Sequence, residues 1–137
     1  MKKSKFYKSI LDRIDKAQRI MVKEEAKYEG LRDLVNNEFI SQSSAHVYEA
    51  LGHAYEITLD IVYDIESIIN NYKKPANISD IKRKLSHVTD ELMYICNYCD
   101  GWAQISANTC IYSNMNHTAS ELGDCLVILT DINNRLK

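Results

Sequence analysis

One proline and four glycines are all that 137 residues offer by way of helix breakers. Proline stops helices and glycine loosens them, so their scarcity leaves long stretches with no signal to stop. Within those stretches the apolar residues recur at three-four spacing, the repeat of one helical face. No run alternates apolar and polar residues as a half-buried strand does, and no Asn-Gly or Asp-Gly pair separates two strand-like runs. Asp100-Gly101 falls inside a helical pattern instead. The sequence predicts an all-α chain.

Four segments carry the pattern. The first places Tyr7, Ile10, Ile14, Ala17, Met21, Tyr28, Leu31 and Val35 on one seam, with Ser4 as its cap. The second begins in "SQSSAH", where Ser43 or Ser44 supplies the capping hydroxyl, and its seam is Val47, Leu51, Ala54, Thr58, Ile61, Ile65, Ile68 and Tyr72. Asn70, Asn71 and Pro75 end it. The third starts at a Ser79 cap and runs through Ile81, Leu85, Val88, Leu92, Ile95, Cys99 and Trp102, breaking at Gly101 or continuing towards Tyr112. "SNMNHTAS" reads as the next turn, with Thr118 or Ser120 as cap before Leu122, Cys125, Leu129, Ile132 and Leu136. Short connections between amphipathic helices make an antiparallel four-helix bundle, three helices long and the C-terminal one shorter. Residues 1–137 form one domain. A short last helix leaves part of the long hairpin uncovered, which favours a homodimer.

No apolar stretch approaches the ~20 residues that cross a bilayer. Asp12 and Asp15 come too early for a signal peptide. The expectation is a cytoplasmic protein with no membrane contact, its four cysteines reduced. Abundant Tyr, Ile, Asn and Lys fit AT-rich coding, as in phages, viruses and mobile elements.

"HVYEALGHAYE" has the look of a metal site, with His46, Glu49, His53 and Glu56 on one helical face. Metal ligands of a bundle project inward, whereas these four point away from the seam through Val47, Leu51 and Ala54, so no metal and no other cofactor is expected. "CNYC" lacks the second close pair that zinc requires; Cys99 lies in the seam, and Cys96 beside it reads as another core thiol. Cys110 and Cys125 come within reach of each other across the expected last turn. His87, beside Asp90 and Glu91, reads as helix surface. Glu24 falls on the first seam between Met21 and Tyr28, where a carboxylate is costly unless partnered.

"SELGDCLVIL", with Glu121 and Asp124, resembles the second acidic motif of the MazG-type nucleotide pyrophosphohydrolases, and "KEEAKYE", with Glu24 and Glu25, resembles their first. The resemblance implies an all-helical enzyme holding magnesium on those four carboxylates. In that family the motifs come from adjacent helices; here two helical segments separate them.

The strongest remaining signal is charge. Up to Arg32 there are ten Lys/Arg against five Asp/Glu, a net of +5, and the rest carries seven against fourteen, a net of −7. Lys5, Lys8, Lys16, Arg19, Lys23 and Lys27 form a stripe opposite the first seam, and Glu49, Glu56, Asp60 and Asp64 form one on the second helix. A stripe of one sign forgoes the alternation that supports an isolated helix. With Tyr7 and Tyr28 on the seam, no aromatics interleave the cations, so nucleic acid fits the stripe less well than an acidic protein surface. The expectation is a non-enzymatic protein-protein interaction module: a small regulator, adaptor, chaperone or inhibitor acting by occlusion or scaffolding through charged helix faces.

Overall fold

The computed structural model describes residues 2–34, 38–105 and 110–137, and the side chains of 3–33, 41–103 and 113–137. They form four helices, with 70–77 and 136–137 outside them: α1 (Lys2–Leu34), α2 (Glu38–Ile69), α3 (Ile78–Ile105) and α4 (Cys110–Arg135). Each packs on two neighbours, α1 on α2 and α4, and α3 on α2 and α4. This is an antiparallel bundle, and the fourth helix, at 26 residues, is the shortest.

The three-four seams are its core. Ile14, Ala17, Met21, Leu51, Ala54, Leu85, Leu92, Cys125 and Leu129 have no exposed surface. Leu31, Ile68 and Trp102 lie half-buried against them. Val35 lies outside the described residues. Tyr72, expected at the end of the second seam, stands beyond α2 and is exposed.

The helix ends differ from the sequence reading. Ser4 lies inside α1, and Ser43 and Ser44 lie inside α2, buried. The serine tying the α1–α2 junction is Ser41, whose hydroxyl donates to the Arg32 carbonyl at 3.1 Å. Asn77, not Ser79, caps α3: its Oδ1 accepts from the Asp80 amide at 2.8 Å. The C-terminus of α2 closes on Asn71, whose φ of 54° is left-handed. The amides of Tyr72 and Asn71 reach back to the carbonyls of Ser67 and Ile68, at 3.1 and 3.4 Å. Lys82 caps the C-terminus of α4, its Nζ donating to the carbonyls of Asn133 and Leu136 at 2.7 and 2.9 Å.

The largest departure is the start of α4. α3 passes through Gly101 to Ile105, and α4 begins at Cys110, so "SNMNHTAS" is helix rather than turn. Asn, Ser, Thr and His each cost a helix about 0.5 kcal/mol relative to alanine. Met115, Thr118 and Leu122 carry the buried stripe back through the segment, all with no exposed surface. One buried methionine alone contributes about 2 kcal/mol. Tertiary burial therefore outweighs propensity. Because α4, at 26 residues, is nearly as long as α3, at 28, unequal helix length supplies no reason to self-associate. Cys110 and Cys125 share α4, fifteen residues apart, or about 22 Å along it, so no turn brings them together.

Candidate functional site

The charged stripes are where the sequence placed them, with exceptions. Lys5, Lys8, Lys16, Arg19 and Lys23 are exposed along α1. Arg19 shares a surface ion pair with Asp15 at 3.0 Å. Lys27 does not belong to the free stripe: it is half-buried and sits 3.1 Å from Glu24. On α2, Glu49, Glu56 and Asp60 are exposed. Asp64 leans towards α3 and pairs with Lys84 at 2.7 Å. Among the described residues no ion pair is formed by Lys5, Lys8, Lys16, Lys23, Glu49, Glu56 or Asp60. α2 holds six carboxylates and no Lys or Arg over its 32 residues. No Lys or Arg occurs from Leu85 to Asn134 either.

His46 and His53 were expected to point away into solvent with Glu49 and Glu56. They are outside the core, but they lean on α3. His53 Nδ1 lies 2.7 Å from a Glu91 carboxylate oxygen. The other oxygen of Glu91 lies 3.1 Å from His87 Nε2. His46 is 3.2 Å from the Tyr94 hydroxyl. Its ring also packs on Tyr98, with centroids 4.7 Å apart, and Tyr98 meets the edge of Trp102. A row of rings thus follows the α2–α3 groove, with Tyr94 more than half exposed. Sequence reasoning missed it, because Tyr94 and Tyr98 stand on the flank of the seam that ends in Trp102 and their imidazole partner is on another helix. Among the described residues no group of three or more His, Cys, Asp and Glu side chains is placed to hold a metal ion.

Glu24 is fully buried and partnered. Thr118 Oγ1 donates to its Oε1 at 2.8 Å, and Lys27 Nζ donates to the same oxygen at 3.2 Å. Its Oε2 lies 3.1 Å from Lys27 Nζ but receives no aligned hydrogen. The Tyr28 hydroxyl, buried as well, adds a 2.7 Å hydrogen bond to Thr118. Burial, and then the neighbouring Cys99, raise the Tyr28 phenol well above its ordinary value. Glu25 turns the other way, towards α2. Burial, and then the like charges of Glu29 and Glu56, raise its carboxyl above the usual range. Glu121 is half-buried 3.6 Å from His117, and Asp124 is exposed. Glu24, Glu25, Glu121 and Asp124 therefore do not converge on one magnesium site.

Cys99 and Cys125 are core residues, and Cys96 is half-buried beside them. Burial pushes Cys99 and Cys125 up to about 12. Cys96 donates to the Ala119 carbonyl at 3.3 Å. A cavity of about 580 Å³ opens at the bundle end where α1 begins and α2 meets α3. Tyr7, Ile68, Ile69, Tyr72, Pro75 and Ile78 make it mostly apolar, and no carboxylate or imidazole lines it. No described helix is long and apolar enough to cross a membrane. Comparisons with known protein families, curated proteins and solved structures find no match.

Proposed function

We propose that the protein is an interaction module that binds a protein partner through the charged outer faces of α1 and α2, acting by occlusion or scaffolding rather than by chemistry. The observation that supports this most is charge segregation. α2 carries six carboxylates and no cation, and the exposed lysines of α1 run beside it. A solvated helix gains a few tenths of a kcal/mol from each i,i+4 pair of opposite sign. Here that support is mostly forgone on both faces, and faces of one sign speed and orient encounter with a complementary surface.

The test compares capture by the tagged wild type with capture by a Lys16→Glu, Arg19→Glu, Lys23→Glu variant. These side chains are exposed, so the variant melts within about 1.5 kcal/mol of wild type, at ~0.5 kcal/mol per surface change. Wild type is expected to retain one stoichiometric protein that the variant loses, with slower association and weaker salt dependence. Equal capture by both proteins refutes the reading. Salt-sensitive retention of DNA or RNA in place of a protein also refutes it.

A further inference from the structure

Between the two charged stripes runs an apolar strip. Asp15, Gln18, Arg19, Val22, Lys23 and Tyr55 line one shallow depression where α1 meets α2. Val22 is 47% exposed there, and Leu59, one turn beyond Tyr55 on the same face of α2, is 46% exposed. An apolar centre with a charged rim has the anatomy of a protein interface. The rim has a sign pattern: Lys16, Lys23 and Arg19, the last shared with Asp15 of its own helix, on the α1 edge, and Glu49, Glu56 and Asp60 on the α2 edge.

The register of the hairpin fixes how these charges stand. Gln18 Nε2 donates to Thr58 Oγ1 at 3.0 Å, so those two residues are level. In an antiparallel pair Lys16 is then level with Asp60. Arg19 is within one residue of Glu56, about 1.5 Å along the axis. Lys23 falls between Glu56 and Glu49. Within one copy these side chains point away from each other on the far edges of the two helices. No described ion pair joins them.

We infer that the partner of this face is a second copy of the chain, docked through a two-fold axis parallel to the helices. That operation lays α1 of one copy over α2 of the other and keeps every residue at its own height. Lys16 and Arg19 then meet, at or within one residue of their own level, Asp60 and Glu56 of the other copy's α2 edge, and Lys23 stands between Glu56 and Glu49, while Val22, Tyr55 and Leu59 of both copies close the centre. The other face-to-face arrangement, with the axis across the helices, lays α1 on α1 and α2 on α2, and its like charges repel. The face is about 45 Å long and about 20 Å wide, from 1.5 Å per residue and two helix diameters. Its roughly 900 Å² clears the ~800 Å² per partner of a stable interface.

The inference rests on the charged faces being the working surface, and it names their occupant. Sedimentation equilibrium at low salt is expected to give twice the chain mass of 15.8 kDa, with dissociation as salt rises. Two variants then decide it: Lys16→Glu, Arg19→Glu, Lys23→Glu, and Glu49→Lys, Glu56→Lys, Asp60→Lys. Either alone loses six exposed pairs per dimer. At about a factor of two each, self-association weakens roughly 60-fold. Mixing the two restores a dimer, because every edge again meets its opposite. Carrying all six changes on one chain restores the homodimer as well. Unfolded variants would not recover on mixing, so rescue separates docking from damage. A wild type that is monomeric at low salt overturns the inference, as do variants that dimerise unaided or a mixture that stays monomeric. A monomeric wild type that still captures a different protein through Lys16, Arg19 and Lys23 overturns the inference but leaves the proposed function standing.

Discussion

The buried ion pair of Glu24 and Lys27 predicts an asymmetry between its two halves. Glu24 has no exposed surface, while the Lys27 side chain is 28% exposed. Changing Lys27 to Met leaves a buried carboxylate with Thr118 as its remaining donor. Breaking a buried pair from one side costs about 3–5 kcal/mol, and the solvent that Lys27 reaches puts this case near 3. For a chain of this size that is a drop in Tm of about 10 °C. Changing Glu24 to Leu removes the charge instead. Thr118 still has the Asn114 carbonyl at 2.9 Å, and Tyr28 still reaches Thr118 at 2.7 Å. Lys27 turns to water. The hydrogen bonds from Thr118 and Lys27 are lost, at about 1 kcal/mol each, against about 1–2 kcal/mol gained from apolar burial and the desolvation cost of the carboxylate, which is removed as well. Glu24→Leu is therefore expected to melt at or slightly above wild type. The double variant Glu24→Leu, Lys27→Met should recover most of the Lys27→Met loss. Thermal and urea melts followed by circular dichroism close this cycle. A Glu24→Leu loss of about 3 kcal/mol, with Lys27→Met near neutral, refutes the reasoning and makes the carboxylate an essential polar anchor.

Two other groups give predictions of their own. Burial holds Cys99 and Cys125 at about 12, so at pH 8 almost no thiolate is present to attack an alkylating reagent; peptide mapping should find both unlabelled in native protein and labelled after denaturation, and fast native labelling of either contradicts their place in the core. Hydrogen bonds from Arg13 and then Arg135 hold the Asp131 carboxyl below its ordinary value. A lowered folded-state value contributes stability that is complete above the ordinary carboxylate range and is lost as pH falls through the lowered value. The small gap in Tm between wild type and Asp131→Asn should accordingly close on acidification, and a gap that widens is the contrary result.

Periodicity reports which face of a helix is buried, and that is why the seams through Ile14, Leu51, Leu92 and Leu129 were legible residue by residue. It also put Glu24 in the core. It does not report what lies across the gap. "SNMNHTAS" carries poor helix formers, and what keeps it helical is distant: Thr118 bonds Glu24 and Tyr28, 94 and 90 residues earlier. Ser43 and Ser44 have the side chain of a cap without its position: they lie inside α2 and are buried.

The same blindness to neighbours explains the histidines. Their angle away from the α2 seam, taken on that helix alone, points His46 and His53 into solvent. In a square bundle each helix has two flanks, and a side chain at the edge of the polar face meets whatever the adjacent helix presents. For α2 the α3 flank presents Glu91 and Tyr94, and the α1 flank presents Gln18 and Glu25. Residues farthest from the seam, Glu49, Glu56 and Asp60, are left with no described partner inside the molecule. Sequence arithmetic on one helix therefore identified the outermost charges correctly and misread the flanks. The outermost charges are the ones that a second molecule meets first.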